Sequence, residues 1–329
     1  MTGAEGVAGG ARVSVAGVRR TLRDQPIIPL LVLLGVLIVG LQVARPGMIS
    51  PDWASSTIRF AVPLAILAAC QSLTMLTGGI DLSAASVASM SAYIIATQSP
   101  EHGPFIAIAI ALAVCAVAGF INGIGVGIFR VHPLIMTLAM SLVVLGFVTI
   151  YQGFVVAVGA RTPDVAAWLG GGNTGGVPNS LLLFVPLAAL IILGLRRSGF
   201  GRLLYAVGDN ETAARLSGVR VWQVLIALYV LSAVLAGLAG LILTGVTSSA
   251  SATLADRYLL PSVAAAVIGG TSIFGGRGGY SGTIVGALIL TVLTSLLTVL
   301  QMPEPVRQIL FGLIILAVAA AYTRITEEA

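Results

Sequence analysis

Asp81 is the residue best placed to do chemistry. It closes a long apolar stretch in Leu76-Thr77-Gly78-Gly79-Ile80-Asp81-Leu82-Ser83. A carboxylate inside apolar surroundings is costly and marks function. Three roles fit it: capping the helix that follows Ser83, lining a solute path, or relaying protons. Little else could carry covalent chemistry. All 17 basic residues are Arg, which excludes a phosphate-binding loop that needs its Lys and also a Lys Schiff base. Two His (His102, His132) and two Cys (Cys70, Cys115) are too few for an ordinary protein zinc or iron–sulfur site. Both Cys sit in apolar runs and read as small buried hydrophobes. An intramembrane enzyme would need a nucleophile–base or metal pattern, and none is present.

The second polar constellation is Arg196–Val221, RRSGFGRLLYAVGDNETAARLSGVRV. It predicts a short helix. Asp209 or Asn210 can cap its start, Glu211 suits the positive N-terminal end and Arg215 the C-terminal end. Gly218 is placed to terminate it in the left-handed conformation. So short a helix is marginal alone and must be held by packing, either within this chain or on a partner.

The elements that must position these residues follow from composition. The chain has 329 residues, 57% hydrophobic and 9% charged, with mean hydropathy +1.05. A soluble surface needs roughly 25% charge, and disorder needs far less apolar content. The expected class is an all-α polytopic membrane protein. By the rule of about 20 apolar residues per crossing, ten spans are predicted, several Gly-broken: 27–44, 55–77, 83–97, 105–129, 133–157, 180–196, 222–246, 258–274, 281–300 and 304–322. With both termini cytoplasmic, twelve of the 17 Arg fall inside, as the positive-inside rule requires. The basic pI of about 9.7 then reflects topology, not nucleic acid. The implied organisation is a cytoplasmic tail 1–24, a transmembrane domain 25–325 with a cytoplasmic loop 197–221, and a C-terminal tail 326–329.

Small residues let helices approach in lipid. Gly119-x3-Gly123-x3-Gly127 and Gly282-x3-Gly286 predict packing faces, and Asn122 a hydrogen bond to a neighbouring helix. Thr77-Gly78-Gly79-Ile80-Asp81 has an echo in Ile268-Gly269-Gly270-Thr271-Ser272, which suggests two like-oriented halves. Gly79 and Gly270 are expected at crowded turns.

The segment GRLLYAVGDNETAARLSGVRV resembles the cytoplasmic coupling segment of bacterial ABC sugar-import permeases of the ribose, xylose, arabinose and galactoside group. LTGGIDLS (Leu76–Ser83) and AAVIGGTSIFGGRG (Ala265–Gly278) fit the same family, in the same order. The chain departs from it at Ala84-Ala85, where the family has Val-Gly, and at Tyr258-Leu259-Leu260-Pro261, where an acidic pair is usual. The resemblance implies a permease subunit in the bacterial inner membrane that translocates a monosaccharide or small polyol. It implies no cofactor on this chain, with ATP and Mg2+ on separate cytoplasmic ATPase subunits. It also implies a second permease copy or homologue, a periplasmic or extracellular solute-binding protein, and contact with lipid. Residues that would couple to the ATPase are Gly201, Arg202, Asp209, Asn210, Glu211, Ala213, Ala214, Arg215, Leu216 and Gly218. Residues that would line the path are Gly78, Gly79, Asp81, Ser83, Gly269, Gly270, Thr271 and Ser272. A secondary transporter or facilitator is the alternative, and would be expected to carry more buried ionisable groups.

Overall fold

In the computed structural model, which describes residues 27–155 and 161–327 with side chains to Leu316, the apolar runs become helices bounded by Pro, Gly and Ser. The long helices are α1 (Ile27–Ala44), α2 (Pro51–Met75), α3 (Ala84–His102), α4 (Pro104–Gly127) and α5 (Pro133–Val155). A short α6 (Asp164–Ala166) continues as a π-helical turn, and a two-residue hairpin, β1 (Asn173–Thr174) with β2 (Val177–Pro178), precedes α7 (Ser180–Arg197). Then come α8 (Gly199–Asp209), α9 (Glu211–Leu216), α10 (Val221–Thr247), α11 (Leu259–Ile268), α12 (Tyr280–Val299) and α13 (Glu304–Glu327). The predicted tail 1–24 lies outside the described residues.

Start signals are local. Pro51 opens α2, where its missing N–H costs nothing, and the Ser50 hydroxyl oxygen accepts from the Trp53 N–H at 3.1 Å. Pro104 and Pro133 open α4 and α5. Among the described residues, seven helices are long and apolar enough to cross a membrane: α1, α2, α4, α5, α7, α10 and α12. The third, eighth and tenth predicted spans are helices that fall outside this set. α3 is rich in Ser, Thr and Gln. α11 has only 10 residues, about 15 Å at 1.5 Å per residue, because the chain turns out at Gly270. α13 has described side chains only to Leu316, short of a membrane-length window.

Two packed groups share α2. One joins α10 to α2, α3 and α4, and the other joins α12 to α1, α2 and α11. The most apolar window of α2 is accordingly 83% buried, against 6% for α1. The predicted glycine faces make these contacts. A Cβ on Gly119 would overlap the Tyr229 carbonyl of α10, and one on Gly286 the Ala265 carbonyl of α11. With backbones this close, dispersion and carbonyl contacts replace the hydrophobic drive that lipid removes.

Candidate functional site: the coupling segment and its two glycine loops

The polar segment between α7 and α10 forms two helices, not one. Ser198 starts α8: its oxygen accepts from the Gly201 N–H at 3.0 Å. Asn210 starts α9 by accepting from the Ala213 N–H at 2.9 Å, so of the two predicted caps Asn210 acts and Asp209 ends α8. Gly218, at φ +87, closes α9. Glu211 accepts from Arg130, in the turn before α5, and from Arg215 one helical turn on, at 2.5 Å. Partial burial alone would raise the Glu211 carboxyl, but these two guanidinium groups outweigh it and hold it below the ordinary carboxylate range.

Both Gly-Gly motifs end helices in the same way. At the end of α2 the Gly78 N–H bonds the Met75 carbonyl at 2.9 Å and the Gly79 N–H bonds the Thr74 carbonyl at 3.0 Å. At the end of α11 the Gly270 N–H bonds Val267 at 3.0 Å and the Thr271 N–H bonds Ala266 at 3.0 Å. This pair of bonds defines the Schellman terminator, which needs a left-handed residue. Gly78 (φ +75) and Gly270 (φ +89) supply it. The echo is therefore real but one residue out of register: Gly78 corresponds to Gly270, not to Gly269.

The two loops meet on α8. The Gly276 N–H donates to the Leu76 carbonyl at 3.0 Å, which ties the second loop to the first. The Tyr205 hydroxyl of α8 donates to the Gly278 carbonyl at 2.8 Å. Gly208 lies in the junction itself, where a Cβ would overlap the Leu76 carbonyl and press on the Gly276 nitrogen. Only glycine lets α8 seat on both loops at once. Beneath this seat, the Ser72 hydroxyl of α2 reaches Thr271 at 2.9 Å and Thr283 of α12 at 2.6 Å.

Asp81 lies next to this seat in a closed knot. Its carboxylate accepts from the Ser83 N–H at 3.0 Å, the Ser83 hydroxyl at 2.6 Å and the Ser232 hydroxyl of α10 at 2.7 Å. Gln71 brackets its peptide, donating to the Asp81 carbonyl at 2.8 Å and accepting from its N–H at 3.2 Å. Asn122 of α4 donates to the Ser83 oxygen at 2.9 Å, the interhelical bond expected of it. Asp81 is 2% exposed, and its bond to the Ser83 N–H stands just ahead of α3, whose N-cap residue Ser83 makes no side-chain cap bond.

Of the predicted coupling residues, Arg202, Asp209, Asn210, Ala213, Arg215, Leu216 and Gly218 are exposed and Glu211 is half-buried. Gly201 and Ala214 are buried within this chain; a Cβ on Gly201 would overlap the Leu195 carbonyl at the α7–α8 corner. Of the predicted path residues, Gly79, Asp81, Ser83, Thr271 and Ser272 are buried in packing, and Gly269 packs on the Thr283 backbone. Gly78 is exposed and Gly270 partly so, and the crowding expected at Gly270 is absent: no atom stands within 4 Å of its Cβ position. Tyr205, Gly208, Ser72 and Ser232 escaped the sequence reading. Gly208 had a signal, since it lies in the same motif as Asn210, but its contacts are more than 60 residues away along the chain.

A family model described as branched-chain amino acid transport system / permease component matches residues 54–319. The ribose import permease of Escherichia coli K12 is 36% identical over 291 residues, 87% of this chain and 90% of that one. The ribose import permease of Bacillus subtilis 168 is 32% identical, covering 85% and 88%. The fructose import permease of Rhizobium meliloti is 32% identical, covering 89% and 84%. No solved structure matches significantly. A match over most of the chain, at this identity, on a bundle of membrane-length helices, means that the chain belongs to the family of permease components that includes the ribose and fructose import permeases.

Proposed function

We propose that the chain is the membrane-spanning subunit of an ATP-driven importer for a monosaccharide or similar small polyol. It spans ten times with both termini cytoplasmic, α3, α11 and α13 serving as the three additional crossings. That orientation puts α8 and α9 in the cytoplasm. ATP hydrolysis belongs to a separate subunit that binds ATP and Mg2+, consistent with a chain that has no Lys and therefore no phosphate-binding loop of that type. A solute-binding protein delivers the substrate, and a second permease copy completes the path.

The observation that carries this reading is the glycine-mediated seat of α8 on the loops that end α2 and α11. Those loops also lead into α3 and α12. A push on α9 and α8 from an ATPase therefore reaches four membrane helices through backbone contacts, with no soft side chain between. Rigid movement of helix groups about a central site is how alternating-access transporters open to each side in turn. The exposed residues Ala213, Arg215 and Leu216 of α9 form the docking face.

The sugar assignment draws on the ribose and fructose relatives. The family description favours a branched-chain amino acid as the second reading. Both are tested in proteoliposomes holding this chain, its ATPase and its binding protein, with ATP inside and D-ribose, D-fructose or L-leucine outside. Uptake of a sugar that needs ATP and survives an uncoupler is expected. Uptake of leucine alone would shift the substrate class. Uptake that stops with the uncoupler at constant ATP would make the chain a secondary transporter.

A further inference from the structure

At the end of the bundle opposite α8, a cavity of about 370 Å³ lies between α2, α11, α12 and α13. This is within the usual range of small-ligand sites, roughly 300–1,000 Å³. One wall is a hydroxyl stripe on α12: Thr291, Thr294, Ser295 and Thr298, spaced to share one helix face. Each of these hydroxyls donates to a carbonyl four residues back on its own helix, at 2.8, 2.7, 3.1 and 2.7 Å respectively. Their hydrogens are committed, so toward a ligand their oxygens can only accept. The facing walls carry aromatic surface from Trp53, Phe60 and Phe311. The Trp53 indole N–H has no partner among the described residues. At the rim, Arg257 lies 5.2 Å over the Tyr258 ring and makes no ion pair among the described residues.

We propose that this cavity is a receiving site for the solute on the permease itself. The proposal rests on the transport reading above and adds a place and a chemistry to it. A row of acceptors selects a ligand that presents several donors on one edge, which is what the hydroxyls of a monosaccharide or polyol do. The apolar C–H face of the same ring covers aromatic surface. A branched-chain amino acid could pair its two charged groups with Arg257, Arg307 and Glu304 of the same lining, but it offers no hydroxyl to the row of four oxygens. In the proposed orientation the cavity is at the outer end, where a binding protein would release its solute. Along α2, Thr57 in the cavity and Ser72 in the Ser72–Thr283 contact above α8 stand about 20 Å apart at 1.5 Å per residue.

The test uses the complete importer in proteoliposomes with D-ribose and D-fructose. Thr294→Val together with Thr298→Val keeps the side-chain shape and removes two acceptors. Uptake of the sugar carried by the wild type is expected to fall roughly tenfold, the effect of losing two ordinary hydrogen bonds. Thr→Ser at both positions keeps the oxygens and should restore uptake to within about twofold. A second measurement does not depend on flux. Ser295→Cys should react with a membrane-impermeant thiol reagent added outside, since Cys70 and Cys115 are buried, and saturating sugar should slow that reaction. Wild-type uptake by the double valine variant, equal loss in the serine variant, or labelling of Ser295→Cys unaffected by sugar would each overturn the receiving site while leaving the transporter reading intact. A wild-type importer that carries L-leucine and no monosaccharide or polyol would overturn the receiving site and the sugar reading together.

Discussion

Helices α2 and α12 carry hydroxyl groups at both ends, and the two ends use them differently. Near α8, Ser72 and Thr283 bond across elements and join α2, α12 and the loop after α11, beside back-bonds of Thr74 to Cys70 within α2 and of Thr283 to Gly279 at the start of α12. At the far end, Thr291, Thr294, Ser295 and Thr298 bond back onto their own helix. The first pattern spends the hydroxyl on holding elements together. The second shields the hydrogen and leaves an oxygen for something that comes and goes. The same residue types thus distinguish a locked end, with bonds between elements, from an open end, where the four hydroxyls bond only within α12; in the proposed mechanism the first passes motion on and the second meets the solute. Glycine crowding does not follow this division: Gly208, Gly79 and Gly269 are closed in near α8, and Gly170 and Gly245 equally so at the far end of α10.

The largest expected effect comes from breaking the knot at the locked end. Asp81→Leu leaves the Ser83 N–H and the Ser83 and Ser232 hydroxyls without their acceptor, at about 1–3 kcal/mol for each buried group left unpaired. Folded protein and uptake should both fall sharply, read by yield in mild detergent and by vesicle flux. Asp81→Asn retains an accepting oxygen and can donate to the Ser232 oxygen, so it should keep much of the activity.

A smaller loss separates two glycines of the same loops. Gly79→Ala would bring a methyl to 2.9 Å from the Tyr229 hydroxyl and 3.2 Å from Pro133. Gly270→Ala meets no atom but must hold φ near +89, a strain of about 1–2 kcal/mol. Thermal unfolding in nanodiscs should show both destabilised. A second substitution that opens space, Tyr229→Phe, should recover only Gly79→Ala.

Ser72→Ala removes the hydroxyl bridge between elements. Interhelical bonds of this kind are worth about 0.6 kcal/mol on average in membranes and at most roughly 1.7, so the melting temperature should drop by a few degrees. Thr294→Val at the open end loses only a bond within its own helix, and its melting temperature should stay near wild type. Equal drops in the two would erase the distinction between the ends.

The smallest effect belongs to Glu211. The pair with Arg130 and Arg215 is substantially exposed, so Glu211→Gln should cost no more than about 1 kcal/mol. The sign of its pH dependence follows from the direction of its shift. Its folded value lies below the ordinary carboxylate range, so its stabilisation is complete above that range. It is lost only as pH falls through the depressed value. Melting between about pH 6 and 8 should therefore not respond to this residue, and a difference between wild type and Glu211→Gln that disappears only in acid is expected.

Most of the helices were legible because an apolar run of membrane length bounded by Pro or Gly has few other solutions. Two elements were not. The 11 residues of α8 contain Gly199, Gly201 and Gly208, which locally favour a loop; Gly201 admits the end of α7 and Gly208 the distant Leu76 and Gly276 backbone, while Gly199 is exposed. The eighth span was read through Gly269 and Gly270 to residue 274, whereas α11 stops at Ile268, since Gly270 turns the chain. At the site, Asp81 as a local acceptor for Ser83 was readable from Asp-Leu-Ser. Its third donor, Ser232, is 151 residues away in a span that looks uniformly apolar. Residues that act through local backbone geometry were visible in the sequence, and those that act through packing between distant spans needed the fold.

The central claim is that α8 passes motion to the membrane helices through the glycine seat, and Gly208→Ala tests it most directly. ATP hydrolysis and sugar uptake are measured side by side in the same proteoliposomes. A methyl at Gly208 must push α8 off the Leu76 carbonyl and the Gly276 nitrogen, while α9 keeps its own cap at Asn210. The account predicts that the variant assembles with its ATPase and hydrolyses ATP, but that uptake per ATP collapses. Uptake and hydrolysis in the wild-type ratio would contradict it.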